Sequence, residues 1–154
     1  MLLIVGGLTI AACGRSPQAV AKAPVAAPAE NPAVSADAFR VEMLPEIAAL
    51  GETYQELIAM QKITEDYGLL ARNARAMNVS FPASAQQSWT EARIAECLFE
   101  VKLRIQVSVT EQKVKDRSNG IYPPWFTQDR GWQTADAHIR QSKFINRSAN
   151  ECTG

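Results

Sequence analysis

Residues Ala85 to Arg117 contain neither glycine nor proline. Their larger apolar side chains recur at helical spacing and include Trp89, Ile94, Cys97, Leu98, Val101 and Ile105. Apolar and polar residues alternate between Phe99 and Val109, which is typical of a strand. Because the rest of the chain offers only short candidate partners for a strand, we predict one long helix. The alternative is an α+β fold with a strand near residues 99–110.

A second helical pattern runs from Asp37 to Met77. Its first apolar stripe consists of Met43, Ile47, Leu50, Tyr54, Leu57 and Ile58. We expect Pro45 in the first turn of the main helix, where proline is tolerated. Beyond Met60 the stripe moves to another face, which carries Ile63, Tyr67, Leu70, Ala74 and Met77. Gly68 lies within this shift, so the sequence predicts either a kink there or two helices.

The long helix is expected to end at Ser118-Asn119-Gly120. An aromatic, proline-rich loop follows from Tyr122 to Phe126, and residues Gln133 to Asn146 form an amphipathic pattern. Its inward side chains are predicted to be Ala135, Ile139 and either Phe144 or Ile145. The predicted fold is therefore all-α, with a long helical hairpin and a C-terminal helix over residues 37–154.

The N-terminal residues resemble a bacterial lipoprotein signal. Met1 to Ala12 are almost wholly apolar and end in Ile10-Ala11-Ala12-Cys13, which looks like a lipobox. The run is shorter than the about 20 residues that span a bilayer, and no lysine or arginine precedes it. The resemblance implies a signal peptide at residues 1–12 and lipidation of Cys13. It also implies a cell-envelope location, and Gly14 after the cysteine implies the outer membrane, with the protein facing the periplasm.

The segment behind this cysteine, up to Ala36, is rich in alanine and proline. Such a composition favours extended, poorly ordered chain. We expect residues 13–36 to be a disordered tether between the lipid anchor and the folded domain.

The lipobox resemblance also bears on the other cysteines. With Cys13 carrying lipid, Cys97 and Cys152 remain, and outside the cytoplasm two such cysteines usually pair. A bridge would close a loop of about 55 residues and stabilise the fold by roughly 4 kcal/mol. The alternatives are two free thiols or a metal site that includes His138, although that set lacks any short-spaced ligand pair.

Charge is unevenly distributed although the formal net charge is zero. Seven acids against two bases lie between Asp37 and Asp66, and nine bases against four acids lie between Val101 and Arg147. We expect the two halves to pack together and neutralise each other, while a cationic partner for the acidic helix is the alternative. The zero net charge gives no reason to expect a nucleic-acid partner.

The second long helix carries a recognisable set of residues at a spacing of three, four and four: Gln86, Trp89, Arg93 and Cys97. With the following Phe99-Glu100, and with Leu50, Tyr54 and Leu57 upstream, this set resembles the LprI-like lysozyme-inhibitor family. The resemblance covers roughly Leu50 to Glu100. It implies a small secreted or lipid-anchored helical domain that inhibits lysozyme.

These residues also have a structural interpretation, which we favour over a binding role. Trp89 is expected to fill the core, with one partner for its indole N–H. Arg93 is expected to stack on Trp89. Glu91, Glu96 and Glu100 are interpreted as a solvated helix face.

No catalytic constellation is visible, because the single histidine has no nucleophile at a recognisable spacing and no glycine-rich phosphate loop is present. We therefore predict no enzymatic activity, no cofactor and no metal. The favoured function is a lipid-anchored protein that binds and inhibits a peptidoglycan-cleaving enzyme by occlusion.

The candidate contact residues are those of the aromatic loop and the acidic face, namely Tyr122, Trp125, Phe126, Glu52 and Glu56. The aromatic loop could alternatively just cover the core. A different function, that of a pilotin-like or accessory lipoprotein of an envelope secretion system, would use a groove between helices.

Overall fold

The computed structural model describes residues 32–142 and 147–153. The helices are α1 (Pro32–Ala76), α2 (Ala83–Arg117), α3 (Pro124–Thr127), α4 (Arg130–Gln141) and a short 3₁₀ helix (Ala149–Cys152). Because these described residues include no strand, the all-α prediction is confirmed. The predicted signal peptide, the lipidation site Cys13 and the tether up to Asn31 lie outside the described residues, as do Phe144 and Ile145.

The first helix is longer and more continuous than its sequence suggested. It begins at Pro32, before the expected start at Asp37, so the last residues of the predicted tether are helical. Pro45 lies inside α1, and its placement in the first turn was wrong. The proline removes one backbone hydrogen bond, but it lies on the exposed side of the helix, where water can serve the freed carbonyl. Gly68 does not divide the helix.

The second helix includes the whole segment that alternates like a strand. Its buried positions recur at three and four residues: Glu100, Leu103, Val107, Thr110 and Val114. Ile105 and Val109, which alternation would place beside Val107, are exposed. Burial on one helical stripe therefore decides the conformation, and the alternative of a strand near 99–110 is excluded.

After α2 the chain turns through Asn119 and Gly120, whose φ angles of 52° and 83° are left-handed. α4 begins where the Asp129 side chain accepts a hydrogen bond from the Trp132 backbone N–H at 2.9 Å. α4 buries Trp132, Ala135 and Ile139. The C-terminal helix was expected over Gln133–Asn146, but it starts earlier, because Asp129 provides an N-cap, and ends at Gln141.

One apolar core joins α1, α2, α3 and α4. It is formed by Met43, Ile47, Leu50, Leu57, Leu103, Val107, Val114, Phe126, Trp132, Ala135 and Ile139. On α1 these residues lie between Met43 and Leu57. The stripe predicted further along is not a core face, since Ile63, Leu70 and Met77 are exposed.

The predicted disulfide between Cys97 and Cys152 is confirmed, with an S–S distance of 2.06 Å. The 3₁₀ helix that carries Cys152 begins with a capping box, in which Ser148 and Glu151 exchange hydrogen bonds. The Ser148 backbone N–H and hydroxyl both donate to Glu151, and they hold the pKa of that carboxyl below its usual range. The bridge thus attaches the end of the chain to the middle of α2.

The acidic and basic halves face each other, as predicted. Across the hairpin Glu46 pairs with Lys113, Glu42 with Arg117 at 3.0 Å, and Glu56 with Lys102 at 3.7 Å. All three pairs are substantially exposed, so each contributes little to stability. Their regular order along α1 and α2 favours the antiparallel register of the two helices.

The burial pattern of α2 can be tested with two valines that a strand would place on one face. Val107 is 5% exposed and Val109 is 47% exposed. We expect Val107→Asp to lower the free energy of unfolding by about 3 kcal/mol or more, because it buries a charge. Val109→Asp should change it by less than about 1 kcal/mol. Urea denaturation measures both, and equal losses would contradict the helical burial pattern.

The disulfide closes a loop with a sequence separation of 55 residues. Replacing both cysteines, as Cys97→Ala with Cys152→Ala, should lower the free energy of unfolding by about 2–4 kcal/mol, because the unfolded chain regains loop entropy. Urea denaturation under non-reducing conditions provides the measurement. The reduced wild-type protein is the matched control, and a double variant as stable as the oxidised protein would contradict the expectation.

Candidate functional site

A cleft with a volume of about 530 Å³ lies where α4 meets the hairpin. The cleft is lined by side chains of α1, α2 and α4 and by Ser142, which follows α4. The lining residues are Gln61, Thr64, Glu65, Gly68, Arg72, Trp89, Glu96, Glu100, His138, Gln141 and Ser142. Its volume is within the range of small-molecule binding sites. The lining combines charged, amide and hydroxyl groups with one large aromatic side chain.

A buried acid–histidine pair belongs to the lining of this cleft. Glu100 of α2 is 3% exposed, and its Oε2 lies 2.8 Å from Nε2 of His138, whose side chain is 20% exposed. The ring of Tyr54 on α1 meets the His138 ring edge-on, with the centroids 5.5 Å apart. All three long helices therefore meet at this pair, which ties α4 to α2.

Two polar atoms of the cleft residues are buried without a partner among the described residues: Oε1 of Glu100 and Nε1 of Trp89. Buried polar atoms in native proteins are nearly always hydrogen-bonded, so each exception calls for an explanation. The first atom is an acceptor when Glu100 is ionised, and the second is a donor. The cleft residues thus include one hydrogen-bond acceptor and one hydrogen-bond donor without a described partner.

The charges of the cleft are not balanced. Three carboxylates, those of Glu65, Glu96 and Glu100, face one guanidinium, that of Arg72. Neither Glu65 nor Glu96 forms an ion pair with a described residue. The carboxylates of the cleft therefore favour a cationic group over an anionic one.

Of the residues that carry the family resemblance on α2, only Trp89 lines the cleft, whereas Gln86 and Arg93 do not. The Trp89 ring meets the Phe81 ring edge-on, with the centroids 6.2 Å apart. Trp89 is only half-buried rather than a core residue, and its indole N–H has no hydrogen-bond partner among the described residues. Gln86 and Arg93 are exposed. No stacking of Arg93 on Trp89 is found among the described contacts.

The aromatic loop does not project from the domain. Phe126 is 1% exposed and packs on Trp132 with centroids 4.2 Å apart, so its prediction as a contact residue was wrong. Burial in the core is the more favourable place for this side chain. Trp125 is half-buried against Phe39 at 5.7 Å.

Tyr122 of the same loop is also half-buried. Its hydroxyl donates a hydrogen bond to Glu111 at 2.9 Å, and this bond, with desolvation, raises the pKa of Tyr122. Tyr122 and Trp125 are thus held against the domain, and a role for either in binding stays a prediction.

The two acidic candidates on α1 differ. Both side chains are exposed, but only Glu56 forms a described ion pair, with Lys102. Neither lines the cleft.

The sequence interpretation missed Glu100 and His138. Glu100 was interpreted as part of a solvated face, which is wrong, although Glu91 of the same set is indeed exposed. One signal was available: Glu100 is a turn away from Cys97 and Leu103, on the stripe that the bridge and the core define. The pairing with His138 had no signal, because it depends on how α4 returns to α2.

Within residues 32–142 and 147–153, no cluster of three or more histidine, cysteine or acidic side chains is placed to hold a metal ion. The helices of this described part also include none that combines the length and the apolar character needed to cross a bilayer.

The acid–histidine pair can be tested by removing the histidine. His138→Ala should lower the free energy of unfolding by about 3 kcal/mol, because it leaves the Glu100 carboxylate buried without its partner. Gln141→Ala, an exposed neighbour on the same helix, should change it by less than about 0.5 kcal/mol. Urea denaturation at neutral pH measures both. If the two variants are equally stable, Glu100 does not depend on the histidine.

Neither protein-family models, nor curated proteins, nor solved structures match this chain. The similarity to the LprI-like lysozyme-inhibitor family therefore rests on the quoted residues alone.

Proposed function

We propose that the chain is a lipid-anchored protein of the cell envelope that binds and inhibits a peptidoglycan-cleaving enzyme. The observation that carries the proposal is the acidic cleft, in which a buried carboxylate oxygen and an indole N–H have no partner among the described residues. Binding clefts combine aromatic lining with a few convergent polar groups that orient a ligand. The resemblance around Trp89 supports lysozyme-like enzymes as the partner class.

Charge complementarity is the second support. Many peptidoglycan-cleaving enzymes of the lysozyme type are cationic, and the cleft offers three carboxylates against one guanidinium. Glu52 and Glu56 are further exposed carboxylates of α1 outside the cleft, and Glu56 pairs with Lys102. Complementary charge of this kind accelerates encounter and aligns two surfaces more than it raises affinity. In this proposal the α1–α2 surface around the cleft covers the glycan-binding groove of the enzyme.

The proposed action is binding without catalysis or a cofactor. The location follows from the lipobox resemblance: a lipid on Cys13, at the outer membrane facing the periplasm, would keep the domain where peptidoglycan hydrolases act. Nucleic acid has no part in the proposal.

A lysis assay tests the proposed inhibition. The lipid-free protein carrying Cys13→Ser should slow cell-wall lysis by at least one of several muramidases and form a stoichiometric complex on size exclusion. Glu100→Gln should weaken inhibition about tenfold, because it removes a charge-assisted hydrogen bond. Glu91→Gln is the matched control, since Glu91 is an exposed carboxylate of the same helix outside the cleft. If no muramidase is inhibited and no complex forms, the proposal fails.

A second candidate function has its own observation. Leu69, Leu70, Met77 and Val79 at the far end of the hairpin are exposed. An apolar surface of this kind suits a pilotin-like or accessory lipoprotein that binds a partner helix of a secretion system. Partner binding that survives Glu100→Gln but is lost with Leu70→Asp and Met77→Asp would favour this function over inhibition.

A further inference from the structure

We propose that the cleft receives an arginine side chain of a protein partner, whose guanidinium pairs with Glu100 and Glu96. This inference rests on the proposed function and specifies the chemistry that the partner must present. It is argued from the unsatisfied atoms, the charges and the shape of the cleft.

The carboxylate of Glu100 is the central element of the argument. Its Oε2 is engaged by His138, and its Oε1 has no donor among the described residues although the residue is 3% exposed. A half-satisfied buried carboxylate is costly, so a donor that reaches it gains more than one that reaches an exposed acid. The terminal torsion of a glutamate is soft, so a small rotation can turn Oε1 toward an incoming group.

The surrounding charges select a cation. Glu96 lies four residues before Glu100 on α2, so both carboxylates are on the same side of that helix. Glu65 is on α1, across the cleft. Arg72 is the one arginine or lysine in the described lining, against these three carboxylates. An anionic ligand would meet repulsion from two walls.

Arginine fits this arrangement better than lysine. A guanidinium is planar and presents five N–H donors in a fixed fork, so it can bind two neighbouring carboxylates at once. It is also weakly hydrated and stacks on aromatic rings, which suits a cleft that contains the Trp89 indole. A lysine ammonium offers a single strongly hydrated charge.

The indole N–H of Trp89 indicates that the cation belongs to a polypeptide. This donor lacks an acceptor among the described residues, and a bare cation cannot supply one. An arginine residue within a protein carries both guanidinium donors and backbone carbonyl acceptors. A volume of about 530 Å³ gives room for that side chain and part of its backbone.

The test uses N-acetyl-arginine methylamide as the probe and N-acetyl-citrulline methylamide as its neutral isostere. Binding to the lipid-free full chain is followed by NMR of the indole N–H signals, with Trp89→Phe identifying the signal of Trp89. We expect the arginine probe to shift this signal and to bind at least about tenfold more tightly than the citrulline probe, because only arginine forms charge-assisted hydrogen bonds. Added salt should weaken its binding.

Two variants locate the site. Glu100→Gln should reduce the affinity for the arginine probe about tenfold, whereas Glu91→Gln should leave it unchanged. If Glu100→Gln fails to fold, as judged by circular dichroism, Glu96→Gln provides the second measurement, because Glu96 is less buried. An equal response of wild type and both cleft variants would overturn the proposal.

Three further outcomes also overturn it: equal binding of the arginine and citrulline probes, no shift of the Trp89 signal, or a shift of that signal by N-acetylglucosamine oligomers with none by arginine. The last outcome would indicate a glycan site. These results are independent of the lysis assay. Inhibition without arginine binding would leave the proposed function standing through another surface, and arginine binding without inhibition would retain the site while refuting the enzyme partner.

Discussion

The apolar contact between α2 and the part of α1 from Met43 to Leu57 is the interaction on which the rest of this structure depends. Leu50, Leu57 and Leu103 are fully buried along it. Isolated helices of ordinary composition are marginal in water, so packing of their apolar faces supplies most of their stability. α4 then adds Trp132, Ala135 and Ile139 to the same core. The exposed ion pairs across the hairpin accompany this packing rather than create it.

The cleft is a consequence of how α4 ends. Its apolar residues pack over the hairpin core, and His138 in its last turn reaches Glu100. The polar side chains of α1 and α2 that line the cleft, such as Glu65 and Glu96, lie outside the apolar core that α4 covers. The buried pair thus marks the boundary between core and cleft. One oxygen of Glu100 pairs with His138 of α4, and the other has no hydrogen-bond partner among the described residues.

The site could be predicted from the sequence only in part. The sequence singled out Trp89 and Tyr54 by their spacing. Trp89 lines the cleft and Tyr54 contacts His138 beside it, and neither contact can be read from the spacing. Glu100 was assigned to a solvated face because a carboxylate among other carboxylates is usually exposed. Its burial depends on α4, which is distant in sequence. The aromatic loop failed as a projecting element for the same reason: α4 lies beneath Phe126 and provides Trp132 as a partner.

The sequence was sufficient for local properties: the helical character of the first long segment and the turn at Asn119 and Gly120. It left a strand near residues 99–110 open as an alternative, and it indicated the pairing of Cys97 with Cys152 only through the lipobox resemblance of Cys13. The local properties follow from periodicity and backbone preference, which act over short distances. Tertiary packing settled which apolar stripes are buried, why Val107 is inside and Val109 outside, and which carboxylate meets the histidine. Burial is a property of what covers a side chain, and the covering element here comes from another part of the chain.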